Sequence, residues 1–451
     1  MADILDQVKT IILVMMENRS FDHMLGHLTL DDPGLKIEGL RKENMANYSN
    51  DYNNTLYPLF PLTMDKELDS DVPHEYDAVA TQLAANPVNG KFTMHGFVEA
   101  YANAGNVINR NSIPMGYFNR EQVPITNFLA KNFCVCDHWF SSLPTSTQPN
   151  RTMALCGESE IYQTLTKLIP VHNNLFDWME NNGIRWRAYH DGFPFYALYP
   201  KLWKYVLGDK YRRYQNFHRD QLATVKSDDP QVIIIEPCYE DAPHFPNKQP
   251  NDNHAPLPVG FGEEFIRSVY LALTSNKERW KQSLMILYYD EHGGFFDHVI
   301  PPSIPYQTTG ANPHSFTSLG LRIPGILVSP FVKPGSVFSQ TLDHTSVLQL
   351  LAEKFNIPPV SDNVNERRKL GIHSLTEVLH GPVKEQPPVP PMQSINIQTA
   401  LGRYINATGT NSMQQSFTNA ANQLALKHSA EVKEKFPELE AWQNIQQKLG
   451  S

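Results

Sequence analysis

The chain is poor in the features that mark several large protein classes. It holds 4 cysteines in 451 residues, Cys134, Cys136, Cys156 and Cys238, too few and too unevenly spaced for a disulfide scaffold. The "CVC" at 134–136 has no second pair at zinc-finger spacing, which argues against a cysteine zinc site. Dense lysine or arginine runs are missing and the net charge is −9, so a nucleic-acid partner has no electrostatic footprint. No stretch reaches the roughly 20 apolar residues of a membrane-spanning helix. The opening "MADILDQVKTIILVMMENRS" places acids before a short apolar run and lacks a basic leader, so no general secretory signal is expected. A cytoplasmic protein and one exported by a dedicated secretion system both fit. Phosphate-cradling glycine loops are lacking too, and the acid-rich "DKELDSDVPHEYD" has neither the central Gly nor the terminal Glu of an EF-hand loop.

What is present suits a globular protein: 41% hydrophobic and 19% charged residues, enough apolar surface to offset chain entropy. Apolar runs of strand length recur as "TIILVMM" at 10–16, "RWRAYH" at 185–190, "VIIIEP" at 232–237, "LMILYYD" at 284–290 and "IPGILVSPF" at 323–331. Helical patterns separate them, among them "TQLAANPVN", "NLFDWMENNG", "GEEFIRSVYLALTS" and "HTSVLQLLAEKFN". Alternation of this kind predicts an α/β fold whose mainly parallel sheet is covered on both faces. Loop-rich insertions occupy 31–73 and 106–124. The expected organisation is a catalytic domain over 1–380, a Pro-rich connector over 381–396 and a helical extension over 397–451 that docks on the body or contacts another protein.

Strand ends carry the chemistry. "TIILVMM" runs into Glu17, Asn18, Arg19 and Ser20, while "LMILYY" runs into Asp290, Glu291, His292, Gly293 and Gly294. In such sheets ligands gather at the carboxyl ends of strands. Oxygen ligands from two strand ends, with a hydroxyl from "SSLPTSTQPNRTM" at 141–153, form a candidate divalent-cation site for phosphoryl chemistry. Each piece alone has a plainer reading, because acids at strand ends are commonly solvated and Ser or Thr at a helix start is usually a cap.

Taken together, "MMENRSFDHMLG" at 15–26, "TQPNR" at 147–151, "NDNH" at 251–254, "DEHGGFFDHV" at 290–299 and "DHTSVLQLLAEKF" at 343–355 resemble the bacterial and plant non-specific phospholipase C and acid phosphatase family of phosphoesterases, over about Lys9 to Asn356. The resemblance implies an alkaline-phosphatase-like α/β core and a metal-dependent phosphate-ester hydrolase. It implies metal ligation by Glu17, Asn18, Asp290 and Glu291, and a nucleophile at Thr147, which would also touch the metal; Ser146 is the adjacent rival. Relatives with two ions suggest a further site from Asp252, His254 and His344, although "DEH" departs from their Asp-His pair and leaves one or two ions open.

Proton transfer and charge neutralisation are work for histidine. Of the 17 histidines, His74, His254 and His344 are the catalytic candidates, and His298 reads as structural. Asn150, Arg151 and His292 are candidates for holding substrate. Arg19 and Arg151 could clamp phosphate, since a guanidinium matches two oxygens, or could simply be tied to a neighbouring acid or carbonyl. Zinc is the favoured ion, with calcium, magnesium or manganese open. A phospholipid substrate met at a membrane surface is expected, with cleavage on the glycerol side of phosphatidylcholine. The alternatives are a broad acid phosphatase acting on monoesters and a non-enzymatic binding scaffold. "HDGFPFYALYPKLWKYV" at 190–206 is aromatic enough for an interfacial lip or for core.

Overall fold

The computed structural model describes residues 4–62, 71–86, 89–108, 112–243, 248–381, 386–392 and 411–449. Its spine is an eight-stranded sheet. The strands in chain order are β1 (Thr10–Met16), β2 (Cys134–Cys136), β3 (Trp186–His190), β4 (Tyr211–Arg213), β5 (Val232–Glu236), β6 (Ser283–Tyr289), β7 (Gly325–Val328) and β8 (Ser336–Phe338), in the spatial order β8-β2-β7-β6-β1-β5-β3-β4. β6, β1, β5, β3 and β4 run parallel. The run expected at 323–331 becomes β7, which is antiparallel to both neighbours, while β8 returns parallel to β2.

Strand formation follows from the residues. β1, β5 and β6 are apolar along nearly their whole length and are buried almost throughout, as strands covered on both faces must be. β2, β4 and β8 span 3 residues each, too short to show a period. The register places Met16 opposite Tyr289, so Glu17 and Asp290 leave adjacent strands at the same level. Glu236 pairs with His190 at the matching ends of β5 and β3. The acids of the strand ends therefore line one edge of the sheet.

Helices cover the sheet. In chain order those used below are α1 (Phe21–Leu25), α2 (Tyr76–Leu83), α3 (Thr147–Cys156), α4 (Gly260–Thr274), α5 (Thr345–Phe355), α6 (Ser412–Lys427), α7 (Ser429–Lys435) and α8 (Glu438–Leu449). The helix expected across "TQLAANPVN" instead lies mostly before it: α2 stops at Leu83 because Ala84 turns left-handed. The insertion following α1 builds its own small core of Leu40, Val79, Leu83, Met94 and Phe97, packed on Phe296 in the loop after β6.

The C-terminal helices share the main core. Phe417, Ala420, Leu424, Val432, Phe436 and Leu439 belong to the same buried cluster as the central strands. Arg213, at the end of β4, forms a bidentate pair with Glu438 at 2.6 and 2.8 Å. Of the connector, 382–385 and 393–396 lie outside the described residues. Its middle follows α4, where Tyr270 donates to the Pro388 carbonyl and Arg267 to that of Pro391. The aromatic stretch at 190–206 is core rather than lip: Phe193, Phe195, Tyr199, Leu202, Trp203 and Val206 are all buried, and Phe193 and Phe195 pack on Phe417. Its aromatics face the protein because the C-terminal helices cover them.

Candidate active site

Thr147 is the first residue of α3, and Ser146 is its N-cap. The helix starts there because Pro149, lacking an N–H, is tolerated only in the first turn. The Asn150 side chain holds the approach loop in place: its oxygen accepts from the Leu143 N–H, and its nitrogen donates to the carbonyls of Leu143, Thr145 and Ser146. Asn150 thus sits behind the site with its amide committed. The two rival hydroxyls point apart. Thr147 Oγ1 donates to Asn18 Oδ1 at 3.2 Å, whereas Ser146 Oγ accepts from Thr164 Oγ1 at 3.0 Å.

Asn18 follows β1 with a φ of 57°, a left-handed conformation that asparagine tolerates better than most residues. Its N–H donates to Asp290 Oδ1 at 3.1 Å, and its side-chain nitrogen stands 3.2 Å from His74 Nε2. Gly293, also left-handed, presses against the Asn18 carbonyl so closely that a Cβ would collide with it. This close approach is what the glycine pair after "DEH" provides.

Arg151, one turn along α3, ties the two strand ends together. It pairs with Asp290 Oδ2 at 2.9 Å and Glu17 Oε1 at 3.2 Å, and donates to the Tyr239 hydroxyl at 3.0 Å. Its guanidinium is therefore engaged by acids beside the site. Arg19 is fully buried and committed to the carbonyls of Asn253 and Leu257 and to His23. Burial lowers its pKa to about 10.

His254 lies among carboxylates, with Nδ1 at 3.4 Å from Glu17 and 3.6 Å from Asp241, and Nε2 at 3.4 Å from Asp71. Neither nitrogen completes a hydrogen bond. Burial raises Glu17 and Asp290, against the pull of Arg151, and burial with the nearby Glu17 charge pushes Asp252 up to about 7. Burial would lower His74, yet Glu291 and Asp71 push it up to about 9. Asp252 itself accepts two backbone N–H groups, from Glu240 and His254.

The remaining candidates are held by partners other than the Thr147 hydroxyl. His292 bonds Gln82 at 2.7 Å and faces Glu291 at 3.2 Å. His344 is fully buried, with one nitrogen on the Tyr289 carbonyl and the other on Ser142. Burial lowers its pKa to about 4, so the ring is neutral.

This donor set fits a divalent cation. Glu291 Oε1, Asp71 Oδ1 and both nitrogens of His254 are buried atoms without a hydrogen-bond partner, a costly condition that a cation relieves. Ligating atoms of Glu17, Asp252 and His254 lie within 4.8 Å of one another, as do those of Asp71, His74 and His254.

The phosphoesterase family model matches residues 8–358. The chain belongs to the phosphoesterase family. Non-specific phospholipase C3 of Arabidopsis thaliana is 30% identical over 375 residues, covering 78% of this chain and 70% of that relative. Non-specific phospholipase C6 of the same plant is 31% identical over 377 residues, covering 78% and 68%. Hemolytic phospholipase C of Pseudomonas aeruginosa is 27% identical over 444 residues, covering 83% of this chain and 56% of its own. Among solved structures, a Vibrio parahaemolyticus member of the alkaline phosphatase superfamily covers 68% of this chain and 82% of its own at 9% identity, with a TM-score of 0.36, too slight a likeness to build on.

Several residues of this candidate site escape a reading of motifs. Asp71 comes from the acid-rich insertion, Asp241 from the segment after β5, and Tyr239 from the same segment, where its hydroxyl bridges Arg151 and Glu236. "YED" after the strand ending "VIIIEP" was the available clue to Asp241 and Tyr239, since it occupies another strand's carboxyl end.

Proposed function

We propose that this phosphoesterase is a phospholipase C that hydrolyses phosphatidylcholine and related phospholipids to diacylglycerol and the phosphorylated head group. The carrying observation is the Thr147 hydroxyl, buried at a helix start, directed at Asn18 between two carboxylate-bearing strand ends. The relatives named as phospholipases C support the diester reading.

Thr147 Oγ1 attacks phosphorus, forming an Oγ–P bond as the bond to the glycerol oxygen breaks; the leaving oxygen takes a proton from His74, and the threonine proton restores that ring. Water then attacks the phosphothreonine, returning the threonine hydroxyl and releasing phosphocholine. Asn18 orients the nucleophile, while Arg151 keeps Glu17 and Asp290 at fixed separation. Glu17, Asn18, Asp290 and Glu291, with Asp252, His254 and Asp71 close by, are the residues that would hold the divalent ion. A bound ion supplies Lewis-acid stabilisation of phosphate charge and lowers the hydroxyl pKa. The histidine among these donors favours zinc.

Peripheral contact with lipid is part of the reading. Leu56 and Val107, one in each of the loop-rich insertions at 31–73 and 106–124, are 61% and 83% exposed. Among the described residues no helix is long and apolar enough to cross a membrane. The test is turnover of phosphatidylcholine and of p-nitrophenyl phosphate, before and after chelation and metal add-back. Metal-dependent phosphocholine release supports the lipase; monoester turnover alone moves the assignment to a phosphatase.

A further inference from the structure

The family match ends at residue 358, yet a helix beyond it reaches the active site along three lines of contact. Asn411 is the N-cap of α6: its side-chain oxygen accepts from the Gln414 N–H at 2.8 Å, while its nitrogen donates to Asp241 Oδ1 at 2.9 Å. The other oxygen of Asp241 is 3.6 Å from His254 Nδ1. In the first turn, Met413 Sδ accepts from Gln148 Nε2 at 3.6 Å. Gln148 is fully buried, adjoins Thr147 and is otherwise held by the backbone of Leu165. One turn further, Phe417 packs on Tyr239, ring centroids 6.0 Å apart, and the Tyr239 hydroxyl accepts from Arg151.

Plain packing accounts for the apolar face of α6, where Phe417, Ala420, Ala421 and Leu424 are buried. It does not account for Asn411. Helix capping uses only the side-chain oxygen, and the nitrogen on Asp241 adds nothing to the helix itself. That hydrogen bond fixes the carboxylate facing His254.

We infer that α6 is part of the catalytic unit, with Asn411 and Met413 as positioning residues that hold His254 through Asp241 and Thr147 through Gln148. This rests on the reading of Thr147 as the nucleophile and of His254 as one of the groups that hold the ion beside it. Its consequence is that the extension beyond the family core is required for turnover rather than appended to it. Displacements near 1 Å at reacting groups lower rates by about 100-fold, so a helix that sets the nucleophile and a group holding the ion has leverage.

The test is Asn411→Asp in the full chain. Aspartate keeps the capping oxygen but removes the donor and sets a carboxylate against Asp241. The expected result on p-nitrophenyl phosphorylcholine is a kcat lower by about 10- to 100-fold, with KM and Tm near wild type. Amide exchange should quicken in 141–156 and 238–243. Asn411→Ser, which also caps, gives the same split should the aspartate destabilise the fold. Glu438→Gln, which weakens the pair that docks α8 on Arg213 and bonds neither Asp241 nor Gln148, should leave kcat unchanged. Wild-type kcat with unchanged exchange in Asn411→Asp overturns the inference, as does a loss that only tracks the folded fraction. Should the wild type hydrolyse neither this diester nor p-nitrophenyl phosphate, the functional reading falls and exchange decides alone: faster exchange upholds the coupling, unchanged exchange overturns it.

Discussion

Two buried clusters of acids, histidine and one arginine grow from the same pair of segments and end up opposite in character. In one, Glu17 and Asp290 meet Arg151, with His254 close by. In the other, a few residues further along each segment, Asp22 and Asp297 meet Arg322, with His298 close by. Ligating atoms of Asp22, Asp297 and His298 also lie within 4.8 Å of one another, so proximity does not separate the two. Hydrogen-bond completion does. Arg322 donates to both oxygens of Asp297, to Asp22 and to the carbonyls of Glu38 and Asp137, and His298 closes on Asp22 at 2.6 Å. No atom of that cluster is among the unpartnered buried atoms, whereas His254, Glu291 and Asp71 all are. A satisfied cluster clamps the fold. An unsatisfied one is poised for a ligand.

That contrast breaks most sharply at Thr147. Thr147→Ala should lower kcat by about 10⁴-fold or more, with Ser146→Ala within about 10-fold, both measured against Tm; a wild-type rate in Thr147→Ala would transfer the nucleophile to Ser146. In the second cluster the effect should fall on stability. Arg322→Met leaves the buried Asp297 without its cation and Asp22 with His298 alone, and should cost about 3–5 kcal/mol in denaturant unfolding, with kcat per folded molecule unchanged. A loss of kcat beyond the unfolded fraction would show that this cluster is not merely a clamp.

Chelation should sharpen the division, reducing turnover by at least about 100-fold and restoring it on add-back, while the Arg322→Met stability penalty stays the same with and without metal. The smallest effect concerns pH. His298 is raised: burial works against its charge, and Asp22 more than compensates. Its stabilising charge is thus fully present below the ordinary histidine pKa of about 6.5 and is lost as pH rises through the raised value. The stability gap between wild type and His298→Gln in denaturant unfolding should be largest near pH 6 and close on the alkaline side. A gap constant in pH would mean the ring acts by packing alone.

The sequence by itself determined the sheet's long strands, because runs buried on both faces must be apolar, and hence the two strand ends that deliver Glu17, Asn18, Asp290 and Glu291. It also marked a helix start at the hydroxyl-rich run 141–153. Tertiary structure alone decided what each polar side chain does. Asn150 holds a loop, His344 is neutral on a carbonyl, and Arg151 ties two acids, none of which motif position distinguishes from substrate contact. Asp71 reaches His254 from an insertion, and Asn411 reaches Asp241 across a separation of 170 residues. Strand and helix formation depend on neighbours in the chain, which spacing reports. Whether a buried donor or acceptor is satisfied depends on partners brought up by the fold, and that was settled only when the insertion and the C-terminal helices closed around the sheet edge.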